Sequence, residues 1–169
     1  VFVHRRETAK ALWAALSKTG IPAYGVHGEM DAPSREREIG QFRQDLGGVL
    51  VATMGVAGLG IDLSCAATAV FVDLDPVPGN LLQCEDRLWR PPQNAAVTVY
   101  YLALRGTVDE HVARIVVDKL DQHQLVLGAE AQSEGLRGAL SAVSDGLAGE
   151  EAVIAALAAL LDERTRAMA

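Results

Sequence analysis

Val49-Leu-Val-Ala-Thr-Met-Gly-Val-Ala-Gly-Leu-Gly-Ile-Asp-Leu63 is a short apolar run that passes straight into glycines. Its first five residues read as a strand covered on both faces, and the strand is expected to run directly into a glycine-rich loop. Glycine removes the side-chain barrier to close approach and tolerates positive φ, so Gly55, Gly58 and Gly60 allow main-chain N–H groups to face a phosphate. A tight strand-to-loop turn uses the same glycines without any ligand. Taken alone, the segment leaves both possibilities open.

Outward from this stretch, apolar runs at residues 1–4, 23–26, 68–73 and 97–104 alternate with segments of helical period. That rhythm predicts an α/β domain with a parallel sheet. Ala9, Leu12, Trp13 and Leu16 fall on one face of a first helix that Gly20 ends. Ile39, Phe42 and Leu46 mark the buried side of a second, whose first turns carry Arg35, Glu36, Arg37 and Glu38. Thr107-Val-Asp-Glu110 has the form of a capping box, and Val112, Ile115, Val116 and Leu120 give the following helix its apolar stripe. Residues 128–149 turn to Gly, Ser and Ala, which predicts a linker. Val153, Ile154, Leu157, Leu160 and Leu161 then define a terminal amphipathic helix over residues 150–169. The expected organisation is therefore a domain over residues 1–127, a linker and a helical appendage.

A second chemically informative stretch is Gln83-Cys-Glu-Asp-Arg-Leu-Trp-Arg-Pro-Pro-Gln93. On a helix, Gln83, Arg87 and Arg90 share one face. Two guanidiniums side by side repel unless an anion lies before them, and a phosphoryl group in transfer is such an anion. The bland alternative is a solvated face on which Asp86 pairs with Arg90, worth about 0.3–0.5 kcal/mol.

The two stretches together, with Ala52-Thr53, Asp75-Pro76, Pro78-Gly79 and Gly106-Thr-Val-Asp-Glu110, closely resemble the second half of Swi/Snf-type ATPases, in the branch that includes annealing helicases. The resemblance extends from residue 1 to about residue 120. It implies a three-layer RecA-like lobe with helices on both faces of a mainly parallel sheet. It also implies that the glycine segment is helicase motif V and the arginine segment motif VI. Gln83, Arg87 and Arg90 then face the phosphates of ATP, with the arginines as fingers, while Gly58, Gly60 and Asp62 lie at the nucleotide edge. Ala52 and Thr53 meet the DNA backbone, and Arg5, Gly28 and Arg35 fall where the family's earlier motifs meet the same strand. The family usually has His-Arg-Ile-Gly-Gln where this chain has Trp89-Arg-Pro-Pro-Gln93. The helix is thus expected to stop hard after Arg90, and Trp89 to pack at its end.

No Gly-x-x-x-x-Gly-Lys-Ser/Thr loop and no Asp-Glu pair after a strand is present to hold ATP and Mg²⁺. Those parts are expected from an N-terminal RecA-like lobe of the same polypeptide, which makes the isolated chain inactive. The opening Val1-Phe-Val-His reads as the start of a fragment. Two alternatives come from other classes. A dinucleotide-binding domain is disfavoured because the glycines run Gly-x-x-Gly-x-Gly and residues 61–67 are too short for the pyrophosphate-binding helix. A non-catalytic RecA-like interaction module differs by making Arg87 and Arg90 dispensable.

The net charge of −7 is uneven: residues 1–106 carry 10 basic and 11 acidic groups, and residues 107–169 carry 5 and 11. An anionic partner such as duplex DNA is expected at the first part. No apolar run has the eighteen or so residues of a membrane span. Cys65 and Cys84 fit no metal or disulfide pattern and read as small buried residues in a reducing compartment. The four histidines show no zinc-site spacing and read as structural or solvent-facing. The chain is expected in the cytoplasm, with the nucleoid, or in a nucleus.

Overall fold

The computed structural model describes residues 1–45, 47–58, 60–91, 93, 95–127 and 134–144. The elements in chain order are β1 (Phe2–Val3), α1 (Arg6–Lys18), β2 (Ala23–Val26), α2 (Ala32–Gln44) and β3 (Val49–Thr53). There follow α3 (Met54–Ala57), β4 (Thr68–Phe71), α4 (Pro78–Glu85), β5 (Thr98–Tyr101), α5 (Val108–Leu127) and α6 (Glu134–Ser144). The strands form one sheet in the order β2-β3-β1-β4-β5, every pair parallel.

The crossover from β1 to β2 runs one way across the sheet, and those from β2 to β3, β3 to β4 and β4 to β5 run the other way. Right-handed crossovers then place α1 on one face and the later helices on the opposite face. The packing follows. Val49 and Val51 of β3 meet Ala9, Leu12, Trp13 and Leu16 of α1. Leu50 and Ala52 join the larger core with Ile39 of α2, Leu81 of α4 and Val116 of α5. Strand alternation thus feeds two cores from one strand.

At Gly25 of β2 the Trp13 indole lies so close that an added Cβ would come within 2.3 Å of the ring. The same indole donates its Nε1–H to the Ala23 carbonyl at 2.9 Å, which fixes α1 on the sheet. α2 starts at Asp31, whose side chain accepts the Ser34 N–H at 2.7 Å. α5 starts at Thr107, whose hydroxyl accepts the Asp109 N–H at 3.2 Å.

Three local expectations are corrected. The strand β3 meets a helical turn, α3, before the chain loosens. α4 ends at Glu85, and Arg87 to Arg90 lie on tight turns beyond it. Within the expected linker, residues 134–144 form α6, whose Leu136 and Leu140 are 1% and 0% exposed and complete the larger core. One i, i+4 leucine pair against α5 suffices to hold this helix even though Gly135 and Gly138 dilute its pattern. The expected terminal helix lies outside the described residues.

Candidate functional site

In a parallel sheet, a crevice opens at the carboxyl ends of strands where neighbouring connections leave for opposite faces. Here β1 connects to the α1 face while its neighbours β3 and β4 connect to the other, so the crevice lies beyond Val3. A cleft of about 350 Å³ occupies that place. His4 enters it after β1, Met54, Gly55 and Gly58 after β3, Asp75 after β4, and Asn80 and Gln83 from α4.

Gly58 is the meeting point of the two sequence motifs. A Cβ there would stand 3.2 Å from Gln83 Oε1, and the Gly58 carbonyl accepts Arg87 Nη2–H at 2.9 Å. Its own N–H donates to Met54 O at 2.9 Å, closing α3, so this amide is engaged in the turn. The expectation that the Gly58 N–H faces a phosphate is corrected accordingly. Gly60 has φ +90°, a conformation that favours glycine.

Arg87 is half-buried, and its Nε is buried without a hydrogen-bond partner. Arg90 is exposed, and among the described residues its guanidinium makes no hydrogen bond or ion pair. The expected helical face of Gln83, Arg87 and Arg90 is replaced by a helix that stops and a chain of short-range turns. Leu88 N–H donates to Glu85 O at 2.9 Å, and Arg90 N–H to Leu88 O at 3.1 Å. Leu63 N–H donates to Arg87 O at 2.9 Å, and Leu88 is buried, so tertiary contacts end α4 before the prolines do. The same geometry leaves no Asp86–Arg90 pair among the described residues. Trp89, expected to pack, is 61% exposed.

Asp62 sits beside this turn. Its carbonyl accepts Arg43 Nη2–H at 2.7 Å and its carboxylate accepts the Ser64 N–H at 3.0 Å. The Ser64 hydrogen bonds, with help from the charges of Arg43 and Arg90, hold its carboxyl below the usual range. Glu85 is pushed the other way, to about 7, by burial and then by Asp86, and the Tyr101 hydroxyl donates to it. Burial pushes the Cys84 thiol up to about 12, as befits an inert core residue, whereas Cys65 is exposed rather than buried.

The residues expected on DNA lie elsewhere on the same strand-end edge. Ala52 is 1% exposed within the core, and its N–H donates to Val1 O at 2.9 Å. Thr53 is buried, 7% exposed, at the end of β3. Arg5 is exposed at the start of α1, and Gly28 is exposed in the turn after β2. Arg35, half-buried in α2, donates Nη2–H to Met30 O at 3.1 Å, and its Nε is buried without a hydrogen-bond partner.

Sequence reasoning missed His4, Asp75 and Asn80 as neighbours in the cleft. The signal was positional: His4 and Asp75 both follow short apolar strands, and parallel strand ends share an edge. Among the described residues no three of His, Cys, Asp and Glu gather as metal ligands, and no helix is long and apolar enough to cross a membrane.

Comparison with known proteins agrees with this architecture. The family described as the helicase conserved C-terminal domain matches residues 1–92. Over 135 residues the chain is 30% identical to the SWI/SNF-related matrix-associated actin-dependent regulator of chromatin subfamily A-like protein 1 of Xenopus tropicalis, covering 79% of this chain and 14% of that one. It is 38% identical over 86 residues to the chromatin-remodeling ATPase INO80 of Mycosarcoma maydis, covering 51% of this chain and 4% of that one. The chain therefore spans only a small part of the length of these relatives. Among solved structures, the C-terminal part of the Fun30 ATPase domain matches with a TM-score of 0.65 at 20% identity, over 86% of this chain and 46% of that chain, a likeness of fold. The Pyrococcus furiosus Hef helicase domain matches with a TM-score of 0.52 at 30% identity, over 65% of this chain and 22% of that chain. The RecA-like α/β fold agrees with these likenesses, and the match over its first 92 residues says that the chain belongs to the helicase conserved C-terminal domain family.

Proposed function

We propose that this domain is the second motor lobe of an ATP-driven DNA translocase. A first RecA-like lobe of the same polypeptide holds ATP, and this lobe closes on the phosphates with Gln83, Arg87 and Arg90. The observation that carries the reading is that Gln83 and Gly58 line one cleft on the strand-end edge while Arg87 donates to the Gly58 carbonyl behind it. Names of relatives that speak of chromatin regulation and of a chromatin-remodeling ATPase support DNA as the track.

The chemistry asked of these residues is electrostatic. Charge spreads over the transferring phosphoryl oxygens, and preorganised cationic donors stabilise it more than they stabilise bound ATP. Arg87 commits one of its five donors to Gly58 O and retains others for phosphate. Arg90, exposed and without a hydrogen bond or ion pair among the described residues, is the second cationic group of the pair. Magnesium bound with ATP would neutralise phosphate charge, and its ligands are assigned to the first lobe. Arg5, the Gly28 turn, Arg35 and Thr53 are the candidate contacts to the DNA backbone, which is read for shape and charge rather than sequence.

ATP turnover of the 169-residue chain, compared with that of the full two-lobed polypeptide on duplex DNA, tests this. The isolated chain should match a blank and the full polypeptide should turn over. DNA-stimulated turnover by the isolated chain, lost on Arg87→Ala, would overturn the division of labour.

A further inference from the structure

His4, Asp75 and Asn80 line the cleft and belong to neither the glycine nor the arginine motif. His4 is held at two points by the segment that follows β4. Its backbone N–H donates to Asp73 Oδ2 at 2.9 Å, and its ring Nδ1 stands 3.4 Å from Asp75 Oδ2. Asp75 is only 5% exposed and is itself fixed: Oδ1 accepts the Val77 N–H at 2.8 Å and Oδ2 accepts Asn80 Nδ2–H at 2.8 Å. A buried carboxylate held by a donor at each oxygen is a support, and the group it supports is the imidazole at the cleft wall. An imidazole fixed through one nitrogen presents the other in a defined direction. Among the described residues, His4 Nε2 has no partner.

We propose that His4 contacts the terminal phosphate of the bound nucleoside triphosphate, with Asp75 and Asn80 as its positioning residues. The inference rests on the second-lobe reading above. Two features select phosphate as the ligand chemistry. The cleft, about 350 Å³, is at the small end of ligand pockets and suits the phosphate end of a nucleotide shared between two lobes. Gln83, Gly58 and His4 line the same cleft, so an anion that reaches Gln83 lies in the space that His4 borders. The Asp75 carboxylate at Nδ1 and a phosphate oxygen at Nε2 would give each ring nitrogen an acceptor. Loss of one such charge-assisted bond is expected to weaken binding of the triphosphate about tenfold.

The test uses the full two-lobed polypeptide with His4→Ala, His4→Gln and Asp75→Asn, measuring kcat and KM for ATP on saturating duplex DNA and the affinity for ADP by competition. His4→Ala should raise KM for ATP about tenfold and change ADP affinity and DNA affinity less than twofold. His4→Gln keeps a donor and should fall between. Asp75→Asn should reproduce the KM effect, and the double variant His4→Ala with Asp75→Asn should add nothing further, because both changes disable one contact. A KM within twofold of the parent in a folded His4→Ala or His4→Gln protein would overturn the proposal. Equal weakening of ATP and ADP would do the same, because the contact would then not be to the terminal phosphate. Failure of the parent polypeptide to hydrolyse ATP overturns the motor-lobe reading, and this proposal with it, so the two failures are distinguishable.

Discussion

Replacing Arg87 and Arg90 by alanine should have the same consequence for turnover and different consequences for stability. Arg87 is half-buried and donates to the Gly58 carbonyl at 2.9 Å. A hydrogen bond from a charged donor contributes about 1.5–3 kcal/mol, and partial solvent contact brings the expected loss in Arg87→Ala to about 1–2 kcal/mol. For a domain of this size that lowers Tm by roughly 2–8 °C. Arg90 is exposed with no partner among the described residues, so Arg90→Ala should cost under about 0.5 kcal/mol. In the full two-lobed polypeptide both variants should cut kcat by about 10³ or more and alter nucleotide and DNA affinity much less, since the contact matters mainly in the transition state. Arg87→Lys should rescue poorly: a single ammonium cannot hold Gly58 O and a phosphate oxygen in the geometry of a planar fork. Steady-state ATPase assays on saturating duplex DNA, run beside melting curves, read both quantities. Near-parent turnover in both alanine variants would refute the finger assignment and favour a RecA-like interaction module. An equal loss of Tm in both would refute the structural role of the Arg87–Gly58 bond.

Three further outcomes follow from single features. Gly25→Ala drives a Cβ to 2.3 Å from the body of the Trp13 ring, and urea unfolding should show a loss of about 2–3 kcal/mol, whereas an unchanged midpoint would mean that α1 sits more loosely on the sheet. Glu85 has a folded pKa of about 7, above its unfolded value, so the stability it contributes is full below about 4.5 and is lost as pH rises through 7. The parent minus Glu85→Gln difference in unfolding free energy should therefore fall by about 2 kcal/mol from pH 4.5 to 8, discounted for residual solvent contact, and a flat difference would contradict the burial. Duplex DNA should bind this lobe weakly, without sequence preference, and progressively less as salt rises, because residues 1–106 carry a net charge of only −1; a tight complex at high salt would contradict backbone tracking.

Most of the sheet was legible because parallel strands buried on both faces stand out as short apolar runs. The runs at 23–26 and 49–53 coincide with β2 and β3, and the other three enclose β1, β4 and β5. The α1 stripe of Ala9, Leu12, Trp13 and Leu16 also packs as read, since a period of 3.6 against a flat sheet leaves few alternatives. The end of α4 was not legible in the same way. Local spacing extends the helix through Arg90, but the Leu63 N–H bond to the Arg87 carbonyl and the burial of Leu88 come from tertiary structure. α6 escaped notice because two glycines and two serines dilute a stripe whose buried positions are Leu136 and Leu140. His4 and Asp75 are 71 positions apart, and no spacing rule joins residues that meet only because two parallel strands end side by side.

The turn after α4 also explains why the arginines can dispense with a helix. Arg87 is joined to the glycine segment from both of its ends, its side chain donating to Gly58 O and its carbonyl accepting from Leu63 N–H. A helix would have offered only a row of side chains, free to repack one by one. This double attachment ties Arg87 to both Gly58 and Leu63, so a load on its side chain is shared with the glycine segment. Arg43 carries the attachment onward by donating Nε–H and Nη2–H to Asp62 O at 3.2 and 2.7 Å. α2, which bears Arg43, begins beside the Gly28 turn and bears Arg35 as well. The candidate phosphate contacts and the candidate DNA contacts are therefore linked through two guanidiniums that each grip a backbone carbonyl, a connection stiffer than surface ion pairs because neither acceptor can change rotamer.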